Sequence, residues 1–517
     1  MKPQTGFQFL AEELLCYILS FLPHRDILRC TSICRNLRQT YLSSSELQYI
    51  VEISGQQLLV IPNTDDSIPI SKRLQRLRDE AHAWFKVDTH PFLKMVPVTK
   101  ALPSREIIGA GGHFCSWDPM GDTAMIFPVH PKPSQQSIRR NWLPGTLCSV
   151  PHSRKFDVFM DLAQNLIAVA YAADHNTVYI NLGALDGDGV HPQAAGETLF
   201  LSDDSRSVTS NAKLKGFGRH IALSCRLNDE SMSVWQLHIW DWKYSTTSSS
   251  ILSGAVLDRP GPIEFCFLGN NRLLVIADNL NLYSIENMSQ TPEFLACFLI
   301  PIPSMLLECL PMIDDIGYDS QLHMQAQATM CTSDPTHRLI CLIMRCARDN
   351  LALIISTRIF FDLDEMAAAM PIPWEHWGPS NTRIFQRQFH FRINGNRVLQ
   401  TLHFGARNRQ FILQLLDFSP LAVTNGRGLG RVVKEPSTTC IIVDRIGTRG
   451  ESLTTSLPYV QVVFSDRKFD HANSLLRDMW IDKDRIYMLS RSLRYTYDRL
   501  EVIDVQPDVR SGVVSTS

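Results

Sequence analysis

The feature that most restricts the fold is a stretch of about 415 residues, from His90 to Val505, made of short apolar runs separated by Gly, Pro, Asn, Asp and Ser. Runs such as Leu166 to Ala172 and Leu339 to Met344 have the length and composition of buried strands, and few segments show helical periodicity. Many short strands with turn residues between them predict a β-sandwich, a barrel or a propeller.

This β region contains an internal repeat. The segment from Phe265 to Ile285 has the pattern of three strands joined by a Gly-Asn-Asn turn and an Asp-Asn turn. Trp240 and Tyr283 are 43 residues apart, close to the period of about 40 to 45 residues of WD-type propeller blades. Strands that end in an apolar residue followed by an acid recur at Trp240-Asp241, Leu416-Asp417 and Ile503-Asp504.

Division of the β region by that period gives at most nine or ten blades, and about six to eight once long loops are allowed for. Only one Trp-Asp dipeptide, Trp240-Asp241, falls within a convincing predicted strand. We therefore expect residues 91–517 to form a large all-β domain, a degenerate β-propeller that recognises a substrate, with a pair of β-sandwiches as the alternative.

The N-terminal residues have helical periodicity instead. One broad stripe of the first predicted helix holds Leu14, Leu15, Ile18, Leu19 and Leu22, and Pro23 ends that helix. A second helix is predicted from about His24 and a third after Arg35. Three helices of this length bury only a small core, too small for the module to be very stable without a partner.

Four N-terminal segments follow one another in a characteristic order. They are Phe9-Leu10-Ala11-Glu12-Glu13-Leu14-Leu15, Phe21-Leu22-Pro23, Arg25-Asp26-Ile27-Leu28-Arg29-Cys30 and Ile33-Cys34-Arg35-Asn36-Leu37-Arg38. This order resembles the F-box family, whose pattern is a leading Leu-Pro-x-Glu, a Leu/Ile helix, a Leu-Pro break, an Asp-Leu-Leu segment and a Val-Cys-Arg-x-Trp close. Ala11 replaces the usual Pro and Leu37 replaces the frequent Trp.

The resemblance implies an all-α F-box module at residues 5–45 that docks on the Skp adaptor of a Skp-cullin-F-box ubiquitin ligase and, through it, reaches the cullin. Residues 46–90 are predicted to form a helical linker, with a basic, Trp-containing helix from Ser71 to Phe85. Internal packing is the alternative role for each predicted adaptor contact. These contacts are Leu10, Leu14, Ile18, Leu22, Ile27 and Leu28.

Composition excludes several other classes of protein. The formal net charge is −2 and the pI is about 6.8, which argues against a nucleic-acid or anionic-membrane partner because phosphates attract clustered positive charge. The longest apolar run, Leu166 to Ala173, is far shorter than a membrane span. Residues 1–13 lack a secretory pattern, and the 13 Cys include no Cys-x-x-Cys pair, so we expect a cytoplasmic or nuclear protein.

Motifs for catalysis, metals or cofactors are not found. Asp186, Asp188 and Glu197 fit three positions of a calcium loop, but Val190 and His191 occupy positions that need a ligand and a Gly, so a surface turn is expected. Trp374 and Trp377, in a Pro-bounded segment, are the best candidates for exposed substrate-binding anchors, with core packing as the alternative.

These observations favour a non-catalytic substrate receptor of a ubiquitin ligase, whose β domain binds an unidentified protein substrate and which needs no cofactor. Two other functions stay open from the sequence. One is an adaptor-bound scaffold that never recruits the cullin. The other is an enzyme whose site is assembled from distant residues of the β domain.

Overall fold

The computed structural model describes residues 10–61, 68–87, 94–98, 106–110, 112–129, 137–150, 153–173, 177–201, 207–228, 233–248, 250–255, 263–302, 306–310, 331–346, 350–363, 371–386, 390–404, 410–425, 430–442, 450–470, 474–492 and 498–505. Within these residues an N-terminal group of helices precedes an all-β domain. No helix among them is long and apolar enough to cross a membrane.

Five helices come first. Pro23, with φ −55° and ψ 145°, ends the first helix and caps the second, because its ring favours this conformation and prevents a continuous helix. The Ser44 hydroxyl accepts a hydrogen bond from the Leu47 amide at 3.3 Å and so caps the N-terminus of the fourth helix. The helices are α1 (Glu12–Ser20), α2 (His24–Ile33), α3 (Arg35–Ser43), α4 (Ser45–Gly55) and α5 (Ile70–Ala83).

The all-β domain is a seven-bladed propeller, as the sequence predicts. Each blade is an antiparallel sheet. The strands, from the first and innermost outward, are in blade 1 Glu106–Ala110, His113–Asp118, Thr123–Pro128 and Arg140–Trp142; in blade 2 Arg154–Asp161, Leu166–Ala172, Val178–Ala184 and Thr198–Phe200; in blade 3 Ser207–Phe217, His220–Asn228, Ser233–Asp241 and Ser250–Ala255; and in blade 4 Glu264–Phe267, Arg272–Ile276, Leu280–Ser284 and Glu293–Phe298.

The remaining blades contain the longest connections along the chain. Blade 6 has a fifth strand outside the usual four, and a hairpin follows it. Blade 5 comprises Leu306–Cys309, Leu339–Arg345, Asn350–Ser356 and Thr382–Gln386; blade 6 comprises Phe391–Asn394, Arg397–Phe404, Gln410–Asp417, Tyr459–Asp470 and Arg431–Val433; the hairpin comprises Ser437–Ile442 and Gly450–Thr455; and the helices α6 and α7 span Trp374–Asn381 and Pro420–Asn425.

Blade 7 closes the ring with strands from both ends of the β domain. Its first three strands are Ser474–Ile481, Arg485–Ser492 and Asp498–Asp504, and its outer strand, Lys94–Val98, comes from immediately after the helices. The innermost strands of blades 1 and 7 also contact each other. The first and last parts of the propeller are therefore held together by a strand pairing that spans about four hundred residues of sequence.

The repeat seen in the sequence corresponds to real blades. Trp240 and Tyr283 lie in the third strands of blades 3 and 4, and the three acid-ended strands are the third strands of blades 3, 6 and 7. Each of these acids pairs with an arginine at the start of the second strand or, for Arg219, just before it. Trp117-Asp118 also ends a strand, in blade 1, so two strands contain a Trp-Asp dipeptide where the sequence predicted one. The ion pairs are Arg219–Asp241 at 3.3 Å, Arg397–Asp417 at 3.5 Å and Arg485–Asp504 at 2.7 Å.

Aspartates at strand bulges tie neighbouring blades together near the axis. Asp157 of blade 2 accepts hydrogen bonds from the amides of Val158 at 2.9 Å and of Leu214, in blade 3, at 2.8 Å. Asp478 of blade 7 accepts from the Met479 amide and pairs with Arg392 of blade 6. Asp157 is buried and Asp478 is half-buried, and the bonds that each carboxylate accepts link adjacent blades without leaving an unpaired charge.

We call the side of the propeller with the turns between first and second strands, such as Lys483-Asp484, the lower face. The upper face is the side with the turns between second and third strands, such as Pro119 to Gly121. Apolar clusters fill the spaces between blades; Phe265 and Phe267 of blade 4, for example, pack against Leu237 and Ile239 of blade 3.

Candidate functional site

Helix α1 has apolar side chains on two opposite faces. Leu15 and Leu19, four residues apart, are buried with Leu37 and Leu47 in a small core shared by the first four helices. A four-residue spacing places both side chains on one face, so the remaining apolar residues of α1 lie on the outside. The helix is therefore only half covered by its own module.

The outer face of α1 is an exposed apolar stripe. Leu14, Tyr17, Ile18 and Phe21 follow the i, i+3, i+4, i+7 spacing of one helix face, and Tyr17 and Phe21 are 64% and 70% exposed. Their rings make an edge-to-face contact with centroids 4.9 Å apart. We call this set, with the exposed Leu10, Ile33 and Leu42, the helical apolar surface. Exposed apolar side chains that follow one helix face in this way are typical of a surface that another protein covers.

The six predicted adaptor contacts fall into three environments. Leu10, Leu14 and Ile18 are exposed, Leu22 and Leu28 are half-buried, and Ile27 is completely buried. Ile27 is therefore an internal packing residue in this conformation.

Tyr17, Phe21, Ile33 and Leu42, which are more exposed than any of the six predicted contacts, were missed by sequence reasoning. The sequence does indicate two of these four residues, because Tyr17 and Phe21 follow Leu14 at the spacing of one helix face.

The two departures from the family pattern preserve the local structure. Ala11 is the N-cap of α1 and has φ −58° and ψ 148°, a conformation that Pro also adopts. Leu37 is buried in the small core beside Leu15 and Leu19. Neither residue alters the course of the helices, and Ala11 lies at the exposed end of the helical apolar surface.

The linker binds the lower face of the propeller through a short sheet and a helix. Leu58–Val60 pairs antiparallel with Cys331–Ser333, which precedes the second strand of blade 5, and the Asp334 amide donates to the Gln57 carbonyl at 3.0 Å. Helix α4 contacts α7 of blade 6, where Gly55 lies so close to Leu421 that an added Cβ would be 2.9 Å from the Leu421 Cβ. These contacts involve backbone groups and therefore fix direction as well as distance.

Trp84, just after α5, provides a further attachment point. Its indole is 2% exposed and lies in a cluster with Leu399 of blade 6 and Met479 of blade 7. The ring nitrogen donates to the Lys483 carbonyl at 3.2 Å, and the Arg397 guanidinium lies 5.0 Å from the ring centroid. Within α4 and α5, Arg78 pairs with Glu52 at 3.2 Å. The helices and the propeller thus form one continuous packed body at this junction.

The two tryptophans predicted as substrate anchors do not protrude. Trp374 and Trp377 lie on α6, are 6% and 0% exposed, and pack edge to face on each other with centroids 4.8 Å apart. Trp377 also packs on Phe298 and donates to the Leu299 carbonyl at 3.2 Å. The Pro-bounded segment folds as a helix against blades 4 and 5, so both indoles belong to the core.

The upper face of blade 1 presents exposed apolar tips. Met120 is 91% exposed and Leu143 is 66% exposed, on two neighbouring turns. Asp122 joins these turns, because its Oδ2 accepts from the Gly145 amide at 2.8 Å and from Lys155 Nζ at 2.6 Å. Among the described residues, Met120 and Leu143 are the most exposed large apolar side chains on the side away from the helices.

Features that would support catalysis are not found in the described part of the chain. No group of three His, Cys, Asp or Glu is arranged to hold a metal there. The calcium-like segment is a surface turn, in which Asp188 pairs with Arg140 and the Asn165 side chain donates to Asp186 at 2.5 Å. An apolar cavity beside Trp374 and Met344 has a volume of about 10 Å³, room for a water molecule at most.

Comparison with known families now identifies the helical module. The model of the F-box domain family matches residues 7–40. The chain carries an F-box domain. The F-box is thus the module that displays the helical apolar surface, and it is followed by the seven-bladed propeller. No curated protein matches the chain.

Solved structures similar to the chain include propellers of distant sequence. Kluyveromyces lactis Hsv2 shares 14% identity with a TM-score of 0.29, over 51% of this chain and 70% of that chain. The C-terminal WD40 domain of Sif2 shares 10% identity with a TM-score of 0.28, over 60% of this chain and 80% of that chain. Apo AztD from Citrobacter koseri shares 12% identity with a TM-score of 0.26, over 60% and 68%. The blade assignment rests on the strand pairings described above.

Proposed function

We propose that the chain is the substrate-recognition subunit of a Skp-cullin-F-box ubiquitin ligase. The observation that carries the proposal is the helical apolar surface of the F-box, which no part of the described chain covers. Leu14, Tyr17 and Phe21 would pack against the Skp adaptor, and aromatic side chains of this size supply much of the affinity of such interfaces. Ile27 supports this surface from inside.

The linker determines which face of the propeller is turned away from the F-box. Helix α4, the Leu58–Val60 strand and Trp84 attach the linker that follows the F-box to the lower face. The upper face is therefore left for the substrate. A rigid junction positions the substrate lysine relative to the ubiquitin-carrying enzyme, and positioning raises the effective concentration of the two reactants. The chain contributes orientation, and the bond-making groups belong to the other subunits.

Substrate recognition is assigned to the upper face of the propeller. Met120 and Leu143 on blade 1 are its most exposed apolar side chains among the described residues, and Asp122 holds their turns in place. The substrate is a protein, since the near-neutral charge of the chain gives no attraction for nucleic acid.

The test is a pull-down of purified Skp adaptor and cullin by the full-length chain. The wild-type chain is expected to retain both, and Phe21→Asp is expected to lose both, because a charge would be buried against the adaptor. Met120→Asp, on the opposite face, is the matched control and is expected to retain both. Failure of the wild-type chain to bind the adaptor would overturn the proposal, and retention of adaptor without cullin would favour a scaffold outside a ligase.

A further inference from the structure

Two cysteines lie next to each other in the interior of the propeller. Cys266 is on the inner strand of blade 4 and Cys309 on the inner strand of blade 5, and these two strands contact each other. Both residues are reduced thiols, 6% and 2% exposed, in the apolar cluster between the two blades. The Cys266 thiol donates a hydrogen bond to the Cys309 sulfur. The fold thus brings together two thiols that are 43 residues apart along the chain.

A charged group lies beside these thiols. Lys215, on the inner strand of blade 3, pairs with Glu264 at 3.1 Å. Its Nζ also donates to the carbonyl of Phe265, the residue before Cys266, at 2.8 Å. Lys213 pairs with the same Glu264 carboxylate at 2.6 Å. Two ammonium groups therefore share one carboxylate, which leaves net positive charge next to the thiols.

This positive charge favours ionisation of one of the two thiols. Burial lowers the pKa of Lys215, but Glu264 raises it by more, so the pKa lies above its ordinary value and the side chain is charged at neutral pH. The hydrogen bond from Cys266 and the Lys215 charge lower the pKa of Cys309, although burial opposes them. The same hydrogen bond, with burial, raises the pKa of Cys266. Cys309 is therefore the readier nucleophile, and Cys266 is the thiol beside it.

Cys115 of blade 1 shows the effect of burial without such neighbours. It is 3% exposed, about as buried as Cys309, and burial raises its pKa to about 12. The opposite direction of the shift at Cys309 comes from the neighbouring thiol and ammonium group.

Solvent reaches the charged group from the inside of the propeller, where the inner strands border the central channel. The side chains of Lys213, Lys215 and Glu264 are 25%, 19% and 11% exposed. The two thiols are buried directly behind this group, so a molecule close to water in size can reach them more easily than a bulky thiol reagent. Hydrogen peroxide is an oxidant of that size, and it reacts with thiolates.

We propose that Cys266 and Cys309 form a peroxide-reactive site that closes to a disulfide between blades 4 and 5. The Cys309 thiolate attacks one oxygen of hydrogen peroxide and the O–O bond breaks. Cys309 becomes a sulfenic acid, and the released hydroxide takes up the proton that Cys309 lost on ionisation. The Cys266 sulfur then attacks the Cys309 sulfur, the S–O bond breaks, and water leaves with the Cys266 proton. The two thiols lose two electrons, and the peroxide is reduced to two molecules of water.

The test is treatment of the reduced, full-length chain with hydrogen peroxide, followed by alkylation, digestion and peptide mass spectrometry. A pair of peptides joined through Cys266 and Cys309 is expected. Oxidised glutathione is expected to give much less of this pair from the folded chain, because it is too large to reach the thiols. The chain is used alone, so the result does not depend on the proposed function. Recovery of both cysteines in alkylated form after peroxide treatment and unfolding would overturn the proposal, and equal reaction with both oxidants would overturn the choice of peroxide.

Three variants separate the roles of the two thiols. Cys309→Ser is expected to lower the rate of peroxide reaction at the site by about tenfold or more, because the remaining Cys266 stays protonated. Cys266→Ser keeps a hydrogen-bond donor and is expected to leave Cys309 as a sulfenic acid that dimedone traps. Cys115→Ser is the matched control and is expected to form the joined peptides at the wild-type rate. Equal rates in Cys309→Ser and Cys266→Ser would contradict the order of the reaction.

Lys215→Gln tests whether the positive charge positions and stabilises the thiolate. The pH at which the peroxide reaction of Cys309 reaches half its maximal rate is expected to rise, because less positive charge is left beside the sulfur. Lys72→Gln, on the exposed side of α5, is the control and is expected to leave the pH profile unchanged. Circular dichroism checks that both variants are folded. An unchanged profile in folded Lys215→Gln would contradict the role given to this residue.

Disulfide formation is also expected to raise the urea midpoint of the propeller. The bond closes a loop between Cys266 and Cys309 and so restricts the unfolded chain. Unfolding is compared before and after peroxide treatment, with Cys266→Ser treated in the same way as the reference, whose midpoint is expected not to rise. A wild-type midpoint that does not rise would show that the oxidised thiols do not join blades 4 and 5.

Discussion

The F-box and the propeller differ in how far they bury their apolar side chains. The second strand of blade 5, Leu339–Arg345, has six consecutive buried positions, and neighbouring blades cover both of its faces. Helix α1 buries Leu15 and Leu19 and leaves Leu14, Tyr17 and Phe21 in solvent. In the described part of the propeller, apolar faces of the blades are covered by neighbouring blades and, at blades 6 and 7, also by the linker. The F-box has one face of α1 that no described residue covers, and this is the face that the proposed adaptor would bind.

The junction between the F-box and the propeller resembles the propeller in the burial of its apolar side chains. Trp84 is buried as deeply as the blade residues around it, although it belongs to the linker. If the junction and the propeller are buried cores and the outer face of α1 is a binding surface, substitutions in the two groups should have different effects. Those at the junction and in the propeller should change the free energy of unfolding, and those on the outer face of α1 should change affinity for the adaptor. The following variants test that separation.

Trp84→Ala is expected to have the largest effect. It removes an enclosed indole from the contact between blades 6 and 7, and such substitutions lower the free energy of unfolding by about 3–5 kcal/mol. Urea unfolding, followed by tryptophan fluorescence and circular dichroism, measures the loss. Affinity for the Skp adaptor should change by less than about twofold, because the helical apolar surface is untouched.

Trp84→Phe is the matched control. It keeps most of the buried ring but loses the bond to the Lys483 carbonyl, so a cost of about 1–2 kcal/mol is expected. A Trp84→Ala chain that is as stable as wild type would show that the linker does not share the propeller's core.

Acidification is expected to destabilise the propeller through His220. This residue is fully buried, its ring stacks on Phe267 with centroids 6.1 Å apart, and neither ring nitrogen has a hydrogen-bond partner among the described residues. Burial, with a smaller contribution from Arg219, lowers the pKa of His220 from 6.5 to about 4.

The direction of the effect follows from proton uptake. Below pH 6.5 the unfolded chain binds a proton at His220 and the folded chain does not until about pH 4. Stability is therefore lost as the pH falls through this window, by up to about 3 kcal/mol from this residue. His220→Phe keeps an aromatic ring without the titration, so its unfolding free energy should depend less on pH between 6.5 and 4. Parallel pH profiles for the two proteins would contradict the assignment.

Phe21→Ala is expected to act on binding alone. The side chain is exposed in the free protein, so the free energy of unfolding should change by less than about 0.5 kcal/mol. Loss of an aromatic contact at the adaptor interface should cost about 2 kcal/mol, or about thirtyfold in affinity. Titration calorimetry with purified adaptor measures the difference.

Leu19→Ala is the matched substitution on the inner face of α1. It should destabilise the F-box by about 2–5 kcal/mol, because it opens a cavity in a very small core. Equal effects of Phe21→Ala and Leu19→Ala on stability would mean that α1 does not have distinct inner and outer faces.

The elements that sequence predicts well are those set by local patterns. The meander from Phe265 to Ile285 forms as three paired strands because its turns and alternation act over a few residues. The helix from Ser71 to Phe85 is found at Ile70–Ala83. The acid-ended strands occupy the third position of three blades because each acid pairs with an arginine of the same blade.

The features that sequence did not predict depend on distant contacts. Helix α1 has apolar side chains on two opposite faces, so the spacing of apolar residues in the sequence does not tell which face is buried. The pairing of Lys94–Val98 with blade 7 joins residues about four hundred positions apart, and no local signal marks that strand as the closing one. Trp374 and Trp377 are buried because Phe298 of blade 4 packs against them, a contact set by the whole fold.

Ala11→Pro is expected to have the smallest effect, a gain in F-box stability. Ala11 already has φ −58° and ψ 148°, and the N–H of an N-cap residue makes no intrahelical bond, so Pro fits without strain. Pro at such a position raises stability by about 0.4–1 kcal/mol because it restricts the unfolded chain. Hydrogen exchange at the amides of α1 measures the gain. Ala81→Pro, in the interior of α5, is the control and should destabilise by about 3 kcal/mol or more. If Ala11→Pro instead accelerates exchange in α1, the entry into this helix is not the preformed turn described here.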